Sequence, residues 1–189
     1  MIMNSIAELQ KKVKHSHKLR ITNYDDESDE ELVNMSSYSG VVEYYPEELV
    51  LTVKAGTSIK IVNEELAKNN QAFPFITENP EQTIGSLYAT SGAELSDSVL
   101  GVQIVNGKGE LLNFGGQVMK NVAGYDVSRL LVGSMGKLAI ITQISFKILP
   151  EKAAKKFQQE VPIKNKENSL RLIYEAKLKK VFDPYGVFI

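Results

Sequence analysis

FGGQVMKNVAGYDVSRLLVGSMGKLAIIT occupies residues 114–142. Gly115-Gly116 open it, and Gly124, Gly133 and Gly136 punctuate it. Glycine lets a backbone approach a ligand closely and aim N–H groups at an anion. Glycines equally make plain turns, and the chain has neither a GxxxxGK[ST] loop nor a GxGxxG between strand and helix. Lys120 reads either as a partner for a phosphate or carboxylate or as a surface lysine. Tyr125 reads either as a hydrogen-bond donor to a substrate or as a half-buried anchor. Asp126 is placed to cap a short helix over residues 125–132. Beyond that helix, Leu138, Ile140, Thr142, Ile144, Phe146 and Ile148 alternate with Ala139, Ile141, Gln143, Ser145 and Lys147. Such a period of two predicts a strand, and Pro150 stops it.

On the N-terminal side of this stretch, SVLGVQIV meets Asn106-Gly107 and returns as ELLNF, a strong hairpin signal. Residues 83–92 are small and weakly periodic, and QAFPFITENPEQ before them reads as a loop. Thr57 is placed to cap a helix whose buried stripe is Ile59, Val62 and Leu66 and which ends at Asn69-Asn70. Residues 32–55 read as strands punctuated by Gly40 and Pro46. Six acids in the seven residues 25–31 read as a solvated loop. KLRIT alternates like a short strand, and Ile2, Ile6, Leu9 and Val13 form one stripe of an N-terminal helix. On the C-terminal side, residues 151–168 read as a polar, lysine-rich linker. SLRLIYEAKLKKVF then reads as an amphipathic helix with Leu170, Ile173, Tyr174, Leu178 and Val181 on one face, ended by Pro184 and Gly186. The class is α+β.

Composition removes several chemistries. The 189 residues carry a net charge of −1, so no global basic field invites nucleic acid. With no cysteine, disulfides, thiolate metal sites and thiol catalysis are excluded, and a reducing, cytoplasmic setting fits. The two histidines, His15 and His17, sit together among lysines, so neither a histidine metal site nor a Ser-His-Asp triad is expected. No apolar run approaches the roughly 20 residues of a membrane span. No carboxylate pair stands out for acid–base work.

The run GGQVMKNVAGYDVSRL is long, uninterrupted and specific. With SVLGVQIVNGKGELLNFGG, GVVEYYPEELVLTVKAGTSI and the terminal LKKVFDPYGVFI, it resembles the FAD-binding E subunit of bacterial glycolate oxidase. That subunit is one of the FAD-linked oxidases of the vanillyl-alcohol-oxidase type. The resemblance covers about residues 32–150 and 170–189. It implies a PCMH-type fold of two α+β subdomains, roughly residues 1–55 and 56–150, gripping FAD between them. Residues 151–189 would be a linker and C-terminal helix in place of the family's cap domain. Carried over by position, the FAD contacts implied are Thr83, Ile84, Gly85, Ser86, Gly136, Leu138, Ile140 and Thr142. The partners implied are a second flavin subunit and an iron–sulfur subunit.

The chain departs from the family's pattern in four places. The cap is reduced to about twenty polar residues. The glycine-rich pyrophosphate turn expected after KLRIT reads NYDDESDEE. The family's T-I/W-G-G run reads Thr83-Ile84-Gly85-Ser86, with a shortened insert after it. Ala139 stands where relatives carry a glycine close to the flavin. The reading is an FAD-dependent subunit of a 2-hydroxy-acid oxidase or dehydrogenase that is not active alone. The alternative is a cofactor-free subunit that keeps the fold to bind a partner flavin subunit. No base for removing the substrate's hydroxyl proton can be picked out.

Overall fold

The apolar pattern of the chain sorts into two cores. The computed structural model describes residues 5–22, 31–117, 126–162 and 169–189. The smaller core gathers Leu9, Val13, Leu19, Val33, Met35 and Tyr38 around Val187 and Phe188. Helix α1 (Ile6–His15) supplies the first two, started by Ser5, whose hydroxyl accepts the Glu8 N–H at 3.2 Å. Strands β1 (Arg20–Thr22) and β2 (Leu32–Asn34) pair in parallel beside it. The chain's last residues join them: Leu19 N–H donates to the Val187 carbonyl at 2.7 Å, and Ile189 N–H donates to the Leu19 carbonyl at 3.1 Å.

The larger core lies against a five-stranded antiparallel sheet of order β3-β4-β9-β7-β8. Its strands are β3 (Val41–Tyr45), β4 (Val50–Lys54), β7 (Val99–Val105), β8 (Leu111–Gly115) and β9 (Ile140–Lys147). Strands β5 (Gln71–Ala72) and β6 (Phe75–Ile76) lie between β4 and β7 in the chain and outside this sheet. Strands β3 and β4, grouped with the first subdomain in the sequence reading, are hydrogen-bonded into this second one. Asn106-Gly107 does turn β7 into β8, but the loop is wider than two residues: Asn106 N–H donates to the Glu110 carbonyl, and Gly109 N–H to the Asn106 carbonyl.

Strand β9 is central, between β4 and β7. The alternation read from its sequence breaks at one point. Gln143 pairs with Gln103, yet Ile141 pairs with the next residue, Ile104, so Thr142 is the extra residue of a bulge. Ile144, Phe146 and Ile148 therefore share the large core with Ile141 and Ala139, while Ile140 turns into the small core.

Helix α2 (Ile59–Ala67) covers this sheet with Ile59, Val62 and Leu66, as the spacing predicted. Its cap is Ser58, whose hydroxyl accepts the Ile61 N–H, rather than Thr57. Thr57 is fully buried, donating to the Lys54 carbonyl at 2.7 Å and accepting from Gly40 N–H at 2.9 Å. Its hydroxyl is thereby engaged in tying the strand ends together. The weakly periodic residues 83–92 form helix α3 (Ile84–Thr90), capped by Thr83 and burying Ile84, Leu87 and Tyr88. Asp126 caps α4 (Val127–Leu130), accepting the Arg129 N–H at 3.2 Å and pairing with its guanidinium at 2.9 Å.

After β10 (Leu149–Pro150), the segment read as linker folds into α5 (Glu151–Phe157) and β11 (Gln159–Glu160). Strand β10 pairs with β5, and β11 pairs with β6. The C-terminal helix α6 (Ser169–Phe182) is present, but its predicted buried stripe is not. Ile173, Tyr174 and Val181 are 54%, 61% and 65% exposed, and among the described side chains of the helix only Phe182 is buried. The Leu170 side chain lies outside those described. The helix turns its 175, 178, 179 and 182 side toward the protein, about a third of a turn from the predicted stripe.

Candidate functional site

The two cores meet at a cleft of about 270 Å³. One wall is the start of α3. Thr83 Oγ1 accepts the Ser86 N–H at 3.2 Å, which starts the helix there. The Ile84 N–H donates to the Thr57 carbonyl at 2.8 Å and the Gly85 N–H to the Ala55 carbonyl at 2.7 Å. These bonds press α3 onto the end of β4. A Cβ at residue 85 would stand 2.8 Å from the Ala55 Cβ and 3.0 Å from its carbonyl oxygen, so glycine is the residue that fits.

The second wall is the loop between α4 and β9. Gly133 N–H donates to the Tyr88 carbonyl at 2.9 Å, and Met135 N–H to the Ala89 carbonyl at 2.8 Å, strapping the loop to α3. Gly133 (φ 72°), Met135 (φ 56°) and Gly136 (φ 72°) are all left-handed. Holding Met135 there costs about 1 kcal/mol, offset by its hydrogen bond to α3. Behind both walls Tyr88 is fully buried with its hydroxyl on the Ser128 carbonyl, and burial pushes its pKa far above the usual value, with Asp126 adding to the shift. It remains a neutral anchor. The third wall, from the small core, is Ile21, Thr22 and Met35.

Of the residues carried over by resemblance, Thr83, Gly85, Ser86 and Gly136 line this cleft together. Ile84 and Leu138 sit in the large core behind it, and Ile140 in the small one. Thr142 is buried at the bulge, its hydroxyl on Gln103 at 3.0 Å to the carbonyl and 2.9 Å to the side-chain oxygen. Ala139, just before β9, and Ile141 within it are the side chains of this segment that line the cleft. The bulge at Thr142 decides this, and no feature of the strand's own sequence marks it. Ile21, Met35, Ala55, Ala89 and Met135 also line the cleft and were not singled out. Lys120, Tyr125 and residues 23–30 of the acidic run lie outside the described residues. Among the described residues no cluster of His, Asp and Glu could hold a metal ion, and no helix is long and apolar enough to cross a membrane.

The lining suits one flat ring system. Ile21, Met35, Ala55, Ala89, Met135, Ala139 and Ile141 are apolar, Thr22, Thr83, Ser86 and Thr90 are polar, and no charged side chain contributes among the described residues. The volume, about 270 Å³, lies just below the range of typical ligand sites, which run from about 300 Å³ upward.

A model of the FAD binding domain family matches residues 14–115, more than half of the chain. The chain belongs to that family. Among its relatives, glycolate oxidase subunit GlcE of Escherichia coli (strain K12) is 41% identical over 134 residues, covering 65% of this chain and 38% of the relative. Glycolate oxidase subunit GlcD of Bacillus subtilis (strain 168) is 37% identical over 78 residues, covering 41% and 17%. D-lactate dehydrogenase of Archaeoglobus fulgidus is 30% identical over 105 residues, covering 51% and 24%. The chain thus spans about two fifths or less of the length of these relatives. The α+β fold and the resemblance read from the sequence are both borne out.

Proposed function

We propose that the chain is the flavin-binding subunit of a glycolate-oxidase-like complex that oxidises a 2-hydroxy acid. The observation that carries this is the cleft: two cores meet there, and both contribute apolar walls shaped by small residues. When bound, FAD supplies the ring that accepts a hydride from the substrate. The chain's own work is positioning. Thr83, Gly85 and Ser86 offer one wall, and Gly136 with Ala139 the other. Ile84, Leu138, Ile140 and Thr142 hold the backbones of those walls from behind. Among the described residues no carboxylate, histidine or lysine lines the cleft. In this reading the partners are a second flavin subunit and an iron–sulfur subunit in the cytoplasm, which agrees with a chain that carries no cysteine of its own.

The exposed Ile173, Tyr174 and Val181 on α6 favour a second reading, in which the chain keeps the fold to bind a partner flavin subunit and holds no cofactor. Purification followed by a visible spectrum and calorimetric titration with FAD separates the two. The expected result is a flavin spectrum that survives dialysis, or saturable heat on adding FAD. A colourless protein that gives no heat would overturn the first reading and leave the second.

A further inference from the structure

Three side chains on the α3 wall form a connected set. The Thr90 hydroxyl donates to the Ser86 carbonyl at 2.8 Å, so its proton is spent and its oxygen can only accept. The Gln82 side chain approaches that oxygen at 3.3 Å, so the group facing it must be the N–H₂ end of the amide. The same nitrogen donates to Ser86 Oγ at 3.1 Å. Ser86 therefore has its hydroxyl oxygen engaged as an acceptor, and among the described residues its own O–H has no acceptor, which leaves it to donate into the cleft it lines. Thr83 is in the same state: its oxygen accepts the Ser86 N–H, and among the described residues its proton has no acceptor.

We infer that Ser86, set by Gln82, is a directed hydrogen-bond donor that reads a neutral acceptor on the ring bound in the cleft. This rests on the flavin reading above. The acceptor is a ring carbonyl or ring nitrogen rather than a phosphate oxygen. Among the described residues no charged side chain lines the pocket, and with no such partner a diphosphate's charge would go uncompensated. Isoalloxazine and adenine both carry such acceptors, and fragments of FAD distinguish them. Thr83 adds a second donor one turn away, but its oxygen also caps α3, so Ser86 is the residue that can be changed without loosening the helix.

The test measures the affinity of the purified chain for FAD by titration, with riboflavin, adenosine and inorganic diphosphate as competing fragments. Melting temperature reports folding. Ser86→Ala is expected to weaken FAD about fivefold, the equivalent of one hydrogen bond. It should also weaken the fragment carrying the acceptor, riboflavin for isoalloxazine or adenosine for adenine, and leave diphosphate unchanged. Gln82→Glu places a carboxylate oxygen where the amide N–H₂ stood. The Ser86 O–H then turns back to donate to it, and the hydroxyl presents a lone pair to the cleft. Gln82→Glu is expected to weaken that same neutral fragment at least as much as Ser86→Ala does, where repulsion of phosphates cannot contribute. In the double variant the two losses should not add. Unchanged FAD affinity in a folded Ser86→Ala overturns the inference and leaves the flavin function standing. So does a loss confined to diphosphate. A wild-type chain that takes up neither FAD nor riboflavin overturns the function and this inference with it.

Discussion

Helices α3 and α6 lie at opposite extremes of attachment. The seven residues of α3 bury Ile84, Leu87 and Tyr88. Backbone hydrogen bonds tie its start to residues 55 and 57 and its end to residues 133 and 135. The 14 residues of α6 leave Ile173, Tyr174 and Val181 in solvent. Its hold is concentrated at the C-terminal end. There Phe182 packs edge-on against Phe114, and the buried Asp183 carboxylate accepts the N–H groups of Val187 and Phe188 at 2.8 and 2.9 Å. Lys179 completes the latch with its ion pair to Asp183 at 2.5 Å and hydrogen bonds to the Lys137 and Phe188 carbonyls. The residues after the latch run on to β1, so Asp183 fastens α6 and the small core at once. Helix length does not set how firmly a helix is held. The shorter helix is a fixed wall because polar bonds secure both ends of a buried stripe. The longer one is latched at its C-terminal end and leaves Ile173, Tyr174 and Val181 outward.

This contrast can be broken or sharpened by substitution. The largest effect is expected at Tyr88, where truncation to alanine empties the space between α3 and α4 and strands the Ser128 carbonyl. Tyr88→Ala should lose about 3–5 kcal/mol of stability in denaturant unfolding. A loss below 1 kcal/mol would show that α3 is not anchored through its core. The C-terminal latch comes next. Asp183→Ala removes the acceptor for two buried N–H groups and the partner of Lys179. The lysine is part-exposed and regains water, so the expected cost is about 2–3 kcal/mol. Amide exchange should speed up at Val187, Phe188 and Leu19 more than along α3, and uniform exchange across the chain would refute a local latch. The smallest effect belongs to the exposed stripe. The pair Ile173→Ser and Val181→Ser should shift stability by no more than about 0.5 kcal/mol each. A larger loss would mean that this face is covered when the protein is in solution.

Legibility followed how local each determinant is. Ile59, Val62 and Leu66 were readable because an amphipathic helix writes its buried face at fixed spacing. Asp126 was readable because a cap acts within four residues of itself. Thr83, Gly85, Ser86 and Gly136 were carried over by position from short runs that depart from the family's pattern, and the structure gathers them on one cleft. The strand beside them was only half readable. Its alternation is real on each side of Thr142, but the bulge there arises from two residues of β9 facing one of β7, about forty positions away in the chain. For α6, spacing correctly marked one apolar face. It could not say that Leu178 and Phe182 at that face's edge, together with the Asp183 latch, would dock the helix on its neighbouring side.

The sequence by itself determined the α+β class, the family, most helices and strands, and the glycines that let the two cleft walls come close. Each of those follows from short-range periodicity, turn chemistry or an unbroken motif. The tertiary structure decided which side chains of β9 face the cleft, which hydroxyl of α3 has a proton left to give, and which face of α6 stays bare. These depend on pairings between distant segments, where one extra residue or one competing hydrogen-bond partner reverses the outcome without changing the local pattern.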